Sequence, residues 1–213
     1  DPARYACGEA DALRARWGVP PQAPVIGALG RLVHKKGFEH LIAAMPAVLA
    51  AVPEAYCVIG GEGDLAADLR ARAAACGVAD RVRLVGHVPW GDTPTYFAMC
   101  AAVAVPSVVD AHGNVDGLPL VLLEAMASGV PVVGSRLAGI REVLEDGVTG
   151  LLVPPGDPPA LAAGLVRLLR DPALGGHLGE AGRQVVCSTY CWDVIAGRFL
   201  GIYERLCASG GGR

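Results

Sequence analysis

The chain has 213 residues, of which 53% are hydrophobic, 5% aromatic and 18% charged, and its formal net charge at pH 7 is −3. This length suits one domain with a substantial core, or at most two small domains. The net negative charge argues against a nucleic-acid-binding surface, which is normally basic. No apolar run approaches the roughly 18–20 residues that cross a bilayer, so the sequence predicts no membrane span.

The chain divides into three segments by composition. Residues 1–20 are polar and linker-like, and we interpret them as an interdomain linker and the start of a domain. Residues 21–208 are predicted to form that domain, and residues 209–213, with the sequence SGGGR, a flexible tail. Because the chain has no initiating methionine, we expect it to be the middle of a longer polypeptide.

The seven cysteines are odd in number and include no C-x-x-C pair, which suits free thiols in a reducing cytoplasm. Cys187 and Cys191 lie four residues apart and could share a helix face. A metal site is the weaker interpretation, because no nearby histidine or third cysteine completes a ligand set. The sequence therefore predicts no metal ion.

Short apolar runs typical of strands alternate with helical patterns along the chain. The predicted strands are Val25–Leu29, Tyr56–Ile59, Val82–Val85, Ala102–Val105, Val132–Gly134 and Leu151–Val153. The predicted helices are Phe38–Val52, Leu65–Cys76, Thr93–Cys100, Leu120–Ser128, Ile140–Leu144, Pro159–Arg170, Ala173–Val186 and Trp192–Cys207. Because the strand runs are continuously apolar, both faces of the sheet are expected to be buried under helices. The sequence therefore predicts an α/β domain with a doubly wound parallel sheet, of the Rossmann-like type.

Four loops that follow predicted strands carry glycine and polar residues. They are Gly30–Lys36, Gly60–Gly63, Gly86–Pro89 and Pro106–Asp116. Right-handed crossovers bring such loops to one edge of the sheet, where the ligands of doubly wound folds bind. The candidate functional residues are therefore expected to converge at the carboxyl ends of the strands.

The segment Asp116–Ser135 sets two carboxylates, Asp116 and Glu124, eight positions apart across a glycine–proline turn and an apolar helix start. Gly117 and Pro119 favour a loop, with the helix beginning close behind it. The N–H groups at a helix start are unpaired and suit an anion. Acids on either side of an anion site match the polar pattern of a nucleotide-sugar, with its ribose, diphosphate and hexose.

This segment resembles the E-x7-E signature of the retaining glycosyltransferases with the GT-B fold, in particular family 4, also called glycosyltransferase group 1. Three further segments resemble motifs of that family: Gly30–Gly37 its G-R-x(4-5)-K-G segment, Gly60–Gly63 its glycine loop and Gly147–Pro154 its D-G-x-T-G segment. The matches run from about Val25 to about Tyr203, so they cover almost the whole chain. The resemblance implies the C-terminal, donor-binding half of a GT-B enzyme.

The resemblance has one departure, at the first acid of the signature, where the family usually has Glu and this chain has Asp116. The shorter side chain changes its reach by about 1.5 Å. Asp still accepts hydrogen bonds from two hydroxyls. The departure therefore bears on donor-sugar preference and not on nucleotide-sugar binding.

Arg31 and Lys36 follow the first predicted strand, and the resemblance makes them the diphosphate-binding pair. Arginine offers a planar fork of donors and lysine a point charge, and both stabilise charge that grows on a diphosphate leaving group. Lys35 is the alternative to Lys36, which is preferred because the family's lysine directly precedes a glycine. By resemblance, Asp116 faces the 3- and 4-hydroxyls of the donor sugar and Glu124 both ribose hydroxyls. Arg31, Lys36 and Asp116 are the predicted catalytic residues.

The other predicted site residues lie on the same loops. Further donor contacts are predicted at Gly30, Gly117, Leu118, Pro119 and Leu120, and contacts near the base at Gly61, Gly63, His87 and Val88. Asp110, His112 and Asn114 are predicted to form a polar loop, with a contact to the sugar as the alternative. Trp17, Trp90 and Trp192 are predicted to be packing residues.

The favoured interpretation is a hexosyltransferase domain whose substrate is a nucleotide-diphosphate sugar, with a UDP-sugar as the default, and which needs no cofactor. The resemblance implies that an N-terminal GT-B domain, absent from this chain, binds the acceptor. The chain alone is therefore expected to bind the donor but to transfer little or no sugar. The expected location is cytoplasmic, with the inner face of the membrane, reached through the missing domain, as the alternative. The acceptor, the base and the donor sugar stay open.

An NAD-type oxidoreductase domain is the alternative function, because Gly61–Ala66 fits the G-x-G-x-x-A fingerprint between a strand and a helix. This fingerprint follows the second predicted strand rather than the first. Glu62 and Asp64 also place negative charge where a pyrophosphate would sit. A degenerate nucleotide-sugar-binding module and a GT-B-type epimerase are further alternatives.

Overall fold

The structure is a computed structural model that describes residues 2–5 and 10–210. Its strands are β1 (Val25–Leu29), β2 (Tyr56–Gly60), β3 (Val82–Gly86), β4 (Ala102–Val105), β5 (Val132–Ser135) and β6 (Leu151–Val153). Its α-helices are α1 (Asp11–Arg16), α2 (Phe38–Ala51), α3 (Ala66–Ala75), α4 (Thr93–Ala98), α5 (Leu120–Ala127), α6 (Ile140–Val143), α7 (Pro158–Arg170), α8 (Pro172–Val185) and α9 (Trp192–Gly210). Every predicted strand and helix is present, with ends that differ by no more than three residues.

The six strands form one parallel sheet in the order β3-β2-β1-β4-β5-β6. Ile26 of β1 pairs with Cys57 of β2 on one side and with Ala102 of β4 on the other. The chain order reverses between β1 and β4, which makes this position the topological switch point of the sheet. The predicted doubly wound parallel sheet is confirmed, and its ligand-binding crevice is expected between the loops that follow β1 and β4.

The core consists of two apolar layers, one on each face of the sheet. Adjacent residues of β1 show the division, because Val25 belongs to one layer and Ile26 to the other. Helices α2, α3 and α7 cover the Ile26 face, where Leu41 and Leu165 are fully buried. Helices α4, α5 and α6 cover the Val25 face. Burial on both faces explains why the strands are continuously apolar in sequence.

The segment predicted to be a linker and domain start contains two short helices that pack on the domain. Residues Pro2–Tyr5 form one turn of 3-10 helix, and the Tyr5 ring lies 6.2 Å from the ring of Phe97. Helix α1 is held by Arg14, whose guanidinium donates to the carbonyl oxygens of Ala23 at 2.9 Å and of Met99 at 2.7 Å. This described part of residues 1–20 is thus part of the domain's surface rather than an extended connection.

The C-terminal part is a nearly continuous helical run in which a π turn, Val186–Tyr190, separates α8 from α9. Helix α9 extends to Gly210, three residues beyond its predicted end and into the predicted tail; residues 211–213 lie outside the described part. By length and composition alone, the run Pro172–Cys207 could cross a membrane, contrary to the expectation that no run is long enough. The reason is that the helix continues through the π turn with few charges, and a single run of this kind is weak evidence of a span.

Candidate functional site

The loops that follow β1 and β4 meet at the switch point. After Gly30, the chain makes a 3-10 turn over His34–Lys36, which Gly37 closes with φ +66° in the left-handed region. A Cβ at Gly37 would overlap the carbonyl oxygen of Pro106, so only glycine allows the two backbones to approach. The Val108 N–H donates to the Lys35 carbonyl oxygen at 3.0 Å. These contacts fix the two loops against each other.

Lys35, Lys36 and Asp116 form a charged cluster across these loops, which we call the lysine–aspartate cluster. Lys36 Nζ lies 2.7 Å from Asp116 Oδ2, and Lys35 Nζ lies 3.0 Å from Asp116 Oδ1. The side chains are 11–23% exposed, so solvent only partly screens these pairs. They are the only two lysines of the chain, whose other basic residues, histidine aside, are all arginines. The structure therefore brings together two of the predicted catalytic residues and the alternative lysine.

The pKa of Asp116 reflects this environment. Partial burial acts to raise the pKa, but the hydrogen bonds and positive charges of Lys36 and Lys35 outweigh it. The pKa therefore lies below its ordinary value, and Asp116 is ionised at neutral pH. The cluster carries two positive charges and one negative charge, which leaves one positive charge for an anionic ligand.

The loop between β4 and α5 is held by its own polar residues. Asp110 Oδ1 accepts from the backbone N–H groups of His112 at 2.8 Å and of Asn114 at 2.9 Å. A hydrogen bond from the Asn114 side chain, together with these two backbone bonds, lowers the pKa of Asp110. These residues thus form a hydrogen-bonded polar loop, and a contact with the sugar stays a prediction. Beside this loop and His34 lies a groove of about 580 Å³.

Helix α5 begins directly behind the lysine–aspartate cluster and presents its N-terminus without a side-chain cap. The preceding residues Gly117–Pro119 form the predicted loop, and the Gly117 carbonyl accepts from the Gly139 N–H at 2.6 Å. The first N–H groups of a helix, here those of Leu120 and Val121, have no acceptor within the helix. This end of α5 can therefore bind an anion close to the cluster.

Glu124, one turn into α5, faces a second part of the site. Its Oε1 accepts a hydrogen bond of 3.0 Å from the Tyr5 hydroxyl. Burial, followed by the charge and hydrogen bond of Glu124, raises the pKa of Tyr5 to about 12, against an opposing effect of Arg4. A cavity of about 490 Å³ adjoins these residues, and we call it the Glu124 cavity. Its lining includes Pro2, Arg4, Tyr5, Trp90, Leu120, Leu123, Glu124, Ala127, Tyr190 and Trp192.

The interpretation of two tryptophans as packing residues is wrong. Trp90 is 72% exposed and Trp192 74% exposed, and both line the Glu124 cavity. Trp17 does pack, with its ring 6.0 Å from that of Tyr96. The position of Trp90 at the site could have been predicted, because this residue directly follows a predicted loop at the carboxyl edge of the sheet. The position of Trp192 could not, because it depends on the preceding π turn, which has no periodic sequence pattern.

The other predicted site residues lie at the same edge of the sheet but are not part of the lysine–aspartate cluster. Arg31 directly follows Gly30 and has an exposed side chain. Gly61 pairs by its N–H with the Gly86 carbonyl, and a Cβ on it would overlap the Gly30 carbonyl oxygen. Its loop therefore packs backbone to backbone against the β1 loop, which accounts for the glycine without a bound dinucleotide.

Three further predicted base contacts differ in exposure. Gly63 approaches the Leu32 carbonyl as Gly61 approaches that of Gly30. His87 is exposed and Val88 is buried, on the loop that leads from β3 to Trp90. Because Trp90 lines the Glu124 cavity, this loop leads from the sheet edge to that cavity.

Potential metal ligands, the cysteines and a further groove were considered as other candidate sites. Within residues 2–5 and 10–210, no group of three His, Cys, Asp or Glu side chains could hold a metal ion. The six cysteines in the described part are free thiols, and Cys7 lies outside it. A further groove, of about 630 Å³, is lined by Arg136 and Arg141 and by no residue of the loops that follow β1 and β4. Arg136 is already paired there with Asp146 at 2.7 Å.

The comparisons with known proteins agree on one family. A family model described as "Glycosyl transferases group 1" matches residues 9–185. A GDP-mannose-dependent alpha-(1-6)-phosphatidylinositol monomannoside mannosyltransferase from Mycobacterium tuberculosis is 35% identical over 187 residues, which are 87% of this chain and 48% of that protein. The chain thus spans about half the length of the curated relatives it matches.

Longer chains of known structure contain a domain with the same fold. Sucrose-phosphate synthase from Thermosynechococcus elongatus has a TM-score of 0.80 and 32% identity, with 97% of this chain and 51% of that chain covered. HepE from Anabaena in complex with UDP has a TM-score of 0.81 and 27% identity, with 98% of this chain and 55% of that chain covered.

Proposed function

This chain belongs to the glycosyl transferases of group 1 and has the fold of the C-terminal domain of a GT-B enzyme, and we propose that it binds the nucleotide-diphosphate-sugar donor of a retaining hexosyl transfer. The lysine–aspartate cluster carries this proposal. Its two cations and one anion meet at the switch point, beside the uncapped start of α5. This is the charge pattern that a sugar diphosphate requires, with anionic phosphates beside neutral hydroxyls.

Each side chain has a distinct role in the proposed site. The diphosphate binds between Lys36, Arg31 and the N–H groups that begin α5, and its growing negative charge on departure is stabilised there. Asp116 accepts hydrogen bonds from hydroxyls of the donor sugar, and Glu124 from those of the ribose. The base lies by the loop with Gly61, Gly63, His87 and Val88.

Binding of the diphosphate exchanges one ion pair for another. In the free chain Lys36 is paired with Asp116 at 2.7 Å, so a phosphate competes for this cation. Lys35 stays on the other carboxylate oxygen, at 3.0 Å, and keeps Asp116 ionised while Lys36 turns to the phosphate. The donor therefore finds a preformed cluster that needs only a local rearrangement.

Two donor nucleotides, UDP and GDP, have support for this site. The sequence favours a UDP-sugar, and HepE, a similar structure, is known in complex with UDP. The M. tuberculosis relative is named for GDP-mannose. Both donors are therefore compared in the test below. The family membership supports either one over the dinucleotide alternative.

The acceptor is proposed to bind to a second domain, in keeping with the relatives, whose length is about twice that of this chain. Helix α9 is proposed to pack against that domain, because a row of large apolar side chains on it is exposed: Trp192, Phe199, Leu200, Ile202, Tyr203 and Leu206. The chain alone is then expected to bind the donor but to transfer little sugar. A cytoplasmic location, or one at the inner face of the membrane, belongs to the same proposal.

Calorimetric titration with UDP, GDP, ADP and NADH tests the proposal. One nucleoside diphosphate should bind, and Arg31→Ala and Lys36→Met should each weaken it by about tenfold, as expected for a lost charge-assisted contact. Lys35→Met is the matched variant and should weaken it less, because Lys35 stays on Asp116. The exposed Arg70→Ala on α3 serves as the control for net charge. Binding of NADH alone, or nucleotide binding that none of these variants changes, would refute the proposal.

A further inference from the structure

The N-terminal turn Pro2–Tyr5 lies outside the segment that the family model matches, which begins at residue 9. It nevertheless reaches across the domain to α5, since Tyr5 and Glu124 are 119 positions apart in the chain. The Tyr5 hydroxyl donates to Glu124 Oε1 at 3.0 Å, at the wall of the Glu124 cavity. This side chain is therefore in contact with the carboxylate to which the proposed function assigns the ribose.

We infer that Tyr5 is a positioning residue, which holds the Glu124 carboxylate in the orientation that receives the ribose hydroxyls. The inference rests on the proposed function and deepens it. A carboxylate has two oxygens with about four acceptor positions, and Tyr5 occupies one position on Oε1. The other oxygen and its lone pairs stay available for a ligand, while the bond to Tyr5 restricts rotation of the carboxylate.

The turn that carries Tyr5 is itself anchored at two points. The Arg4 guanidinium lies against the indole face of Trp90 and donates to the Trp90 carbonyl oxygen. The Tyr5 ring packs against Phe97, which is fully buried in the core. Because these contacts do not involve Glu124, the hydroxyl is held in place independently of the bond that it donates. A preorganised donor of this kind reduces the entropy lost when a ligand binds.

The anchoring also gives the Glu124 cavity a composition suited to a nucleoside. Arg4 and the exposed indole of Trp90 stand on one side, and the acid Glu124 and the first residue of α5, Leu120, line the same space. A planar base can stack on an exposed aromatic ring, and a carboxylate can accept from both hydroxyls of a ribose. Tyr5 is the residue that connects these features, since its turn carries Arg4 and its hydroxyl contacts Glu124.

A ligand that lacks the ribose hydroxyls distinguishes two roles of Tyr5, which are to orient Glu124 or only to support the local structure. The test is a titration with UDP and GDP and with their 2′,3′-dideoxy analogues, on the parent chain, Tyr5→Phe and Glu124→Gln. Tyr5→Phe keeps the ring packing on Phe97 and removes only the hydroxyl. Tyr203→Phe, at a tyrosine that is 62% exposed on α9, is the matched control.

The inference predicts that Tyr5→Phe weakens binding of the preferred ribonucleotide by about three- to tenfold, because the Glu124 side chain then loses rotational freedom when the ribose binds. The affinity for the dideoxy analogue should change much less, because this ligand has no ribose hydroxyls to donate hydrogen bonds to Glu124. Glu124→Gln should show the same dependence on the ribose hydroxyls, and Tyr203→Phe no change for either ligand.

The two possible failures are distinguishable. If Glu124→Gln weakens only the ribonucleotide and Tyr5→Phe weakens neither ligand, the proposed function stands and the role of Tyr5 is refuted. Equal losses for both ligands in Tyr5→Phe would make Tyr5 a structural residue, and tighter binding would make it a competitor of the ribose; either result overturns the inference. If Glu124→Gln affects neither ligand, the ribose assignment of the proposed function fails, and the inference fails with it.

Discussion

At the scale of single residues, the site depends on how charge is distributed around Asp116. Asp116, which is shorter than the family's Glu, forms ion pairs with both lysines of the chain, one at each carboxylate oxygen. The two ion pairs hold the carboxylate between the lysines and leave the cluster with a net positive charge. The same residues thus neutralise a partly buried acid and form the anion site that we propose.

The pKa of Asp116 gives a prediction about stability and pH. Because the folded-state pKa is lowered, Asp116 contributes stability above its unfolded value of 3.8, and this contribution is lost as the pH falls through the folded value. Asp116→Asn should therefore lower the free energy of unfolding at neutral pH by about 1–3 kcal/mol, since it breaks charge-assisted bonds and leaves two lysines unbalanced. Denaturant unfolding from neutral pH down to below pH 3.8 measures this effect.

The control is Asp80→Asn, at an exposed carboxylate outside the cluster. The difference in unfolding free energy between Asp116→Asn and the parent chain should become smaller at the lowest pH values. The unfolding free energy of Asp80→Asn should stay close to that of the parent at every pH. A gap of constant size at every pH would mean that packing, and not the charge of Asp116, is what the substitution removes.

At the scale of elements, the sequence pattern located all six strands and helices α2 to α9, because burial against the sheet gives these segments a regular spacing of apolar residues. Helix α1 was not predicted. Val25–Leu29 and Ala102–Val105 have identical predicted and observed ends. The turns at Pro2–Tyr5 and His34–Lys36 and the π turn at Val186–Tyr190 were not predicted. They are too short for a periodic signal, and contacts with distant parts of the chain hold them.

The site could be predicted from sequence to a similar extent. Lys36 and Asp116 were expected at one edge of the sheet because both lie on loops that follow predicted strands, and the structure joins them. The contact of Tyr5 with Glu124 could not be predicted, because no local pattern links residues 119 positions apart. Lys35 was an alternative to Lys36 by sequence, whereas in the structure both contact the same acid.

Helix α9 leads to a prediction at the same scale. Phe199 and Tyr203 are four residues apart, hence on one face, and are 55% and 62% exposed. Replacing both with Glu should reduce self-association of the chain in analytical ultracentrifugation, because the exposed apolar area is lost. The free energy of unfolding should stay within about 0.5 kcal/mol of the parent, as for exposed sites generally.

A matched substitution, Val148→Glu, tests whether any added charge has this effect, because Val148 is 44% exposed on a loop away from α9. It should leave self-association unchanged. A large drop in the unfolding free energy of the α9 variant would show instead that this face packs within the chain, and the proposed contact with a second domain would lose its support.

At the scale of the whole molecule, one doubly wound domain brings its polar loops to a single sheet edge, and the two parts of the site lie on either side of α5's start. In the proposed function, the lysine–aspartate cluster binds the diphosphate and sugar, and the Glu124 cavity binds the nucleoside. Helix α9 lines that cavity with Trp192, whereas its residues Phe199, Leu200, Ile202, Tyr203 and Leu206 expose apolar surface outside it. That exposed apolar surface suits the partner domain that we propose.

The most direct test of donor binding at this edge is to map backbone amide chemical shifts while UDP-glucose or GDP-mannose is added to the chain. We expect one ligand to cause the largest shifts at residues 30–36, 87–90 and 116–124, with smaller shifts elsewhere. Shifts confined to the groove near Arg136 and Arg141, or none with either ligand at saturating concentration, would contradict it.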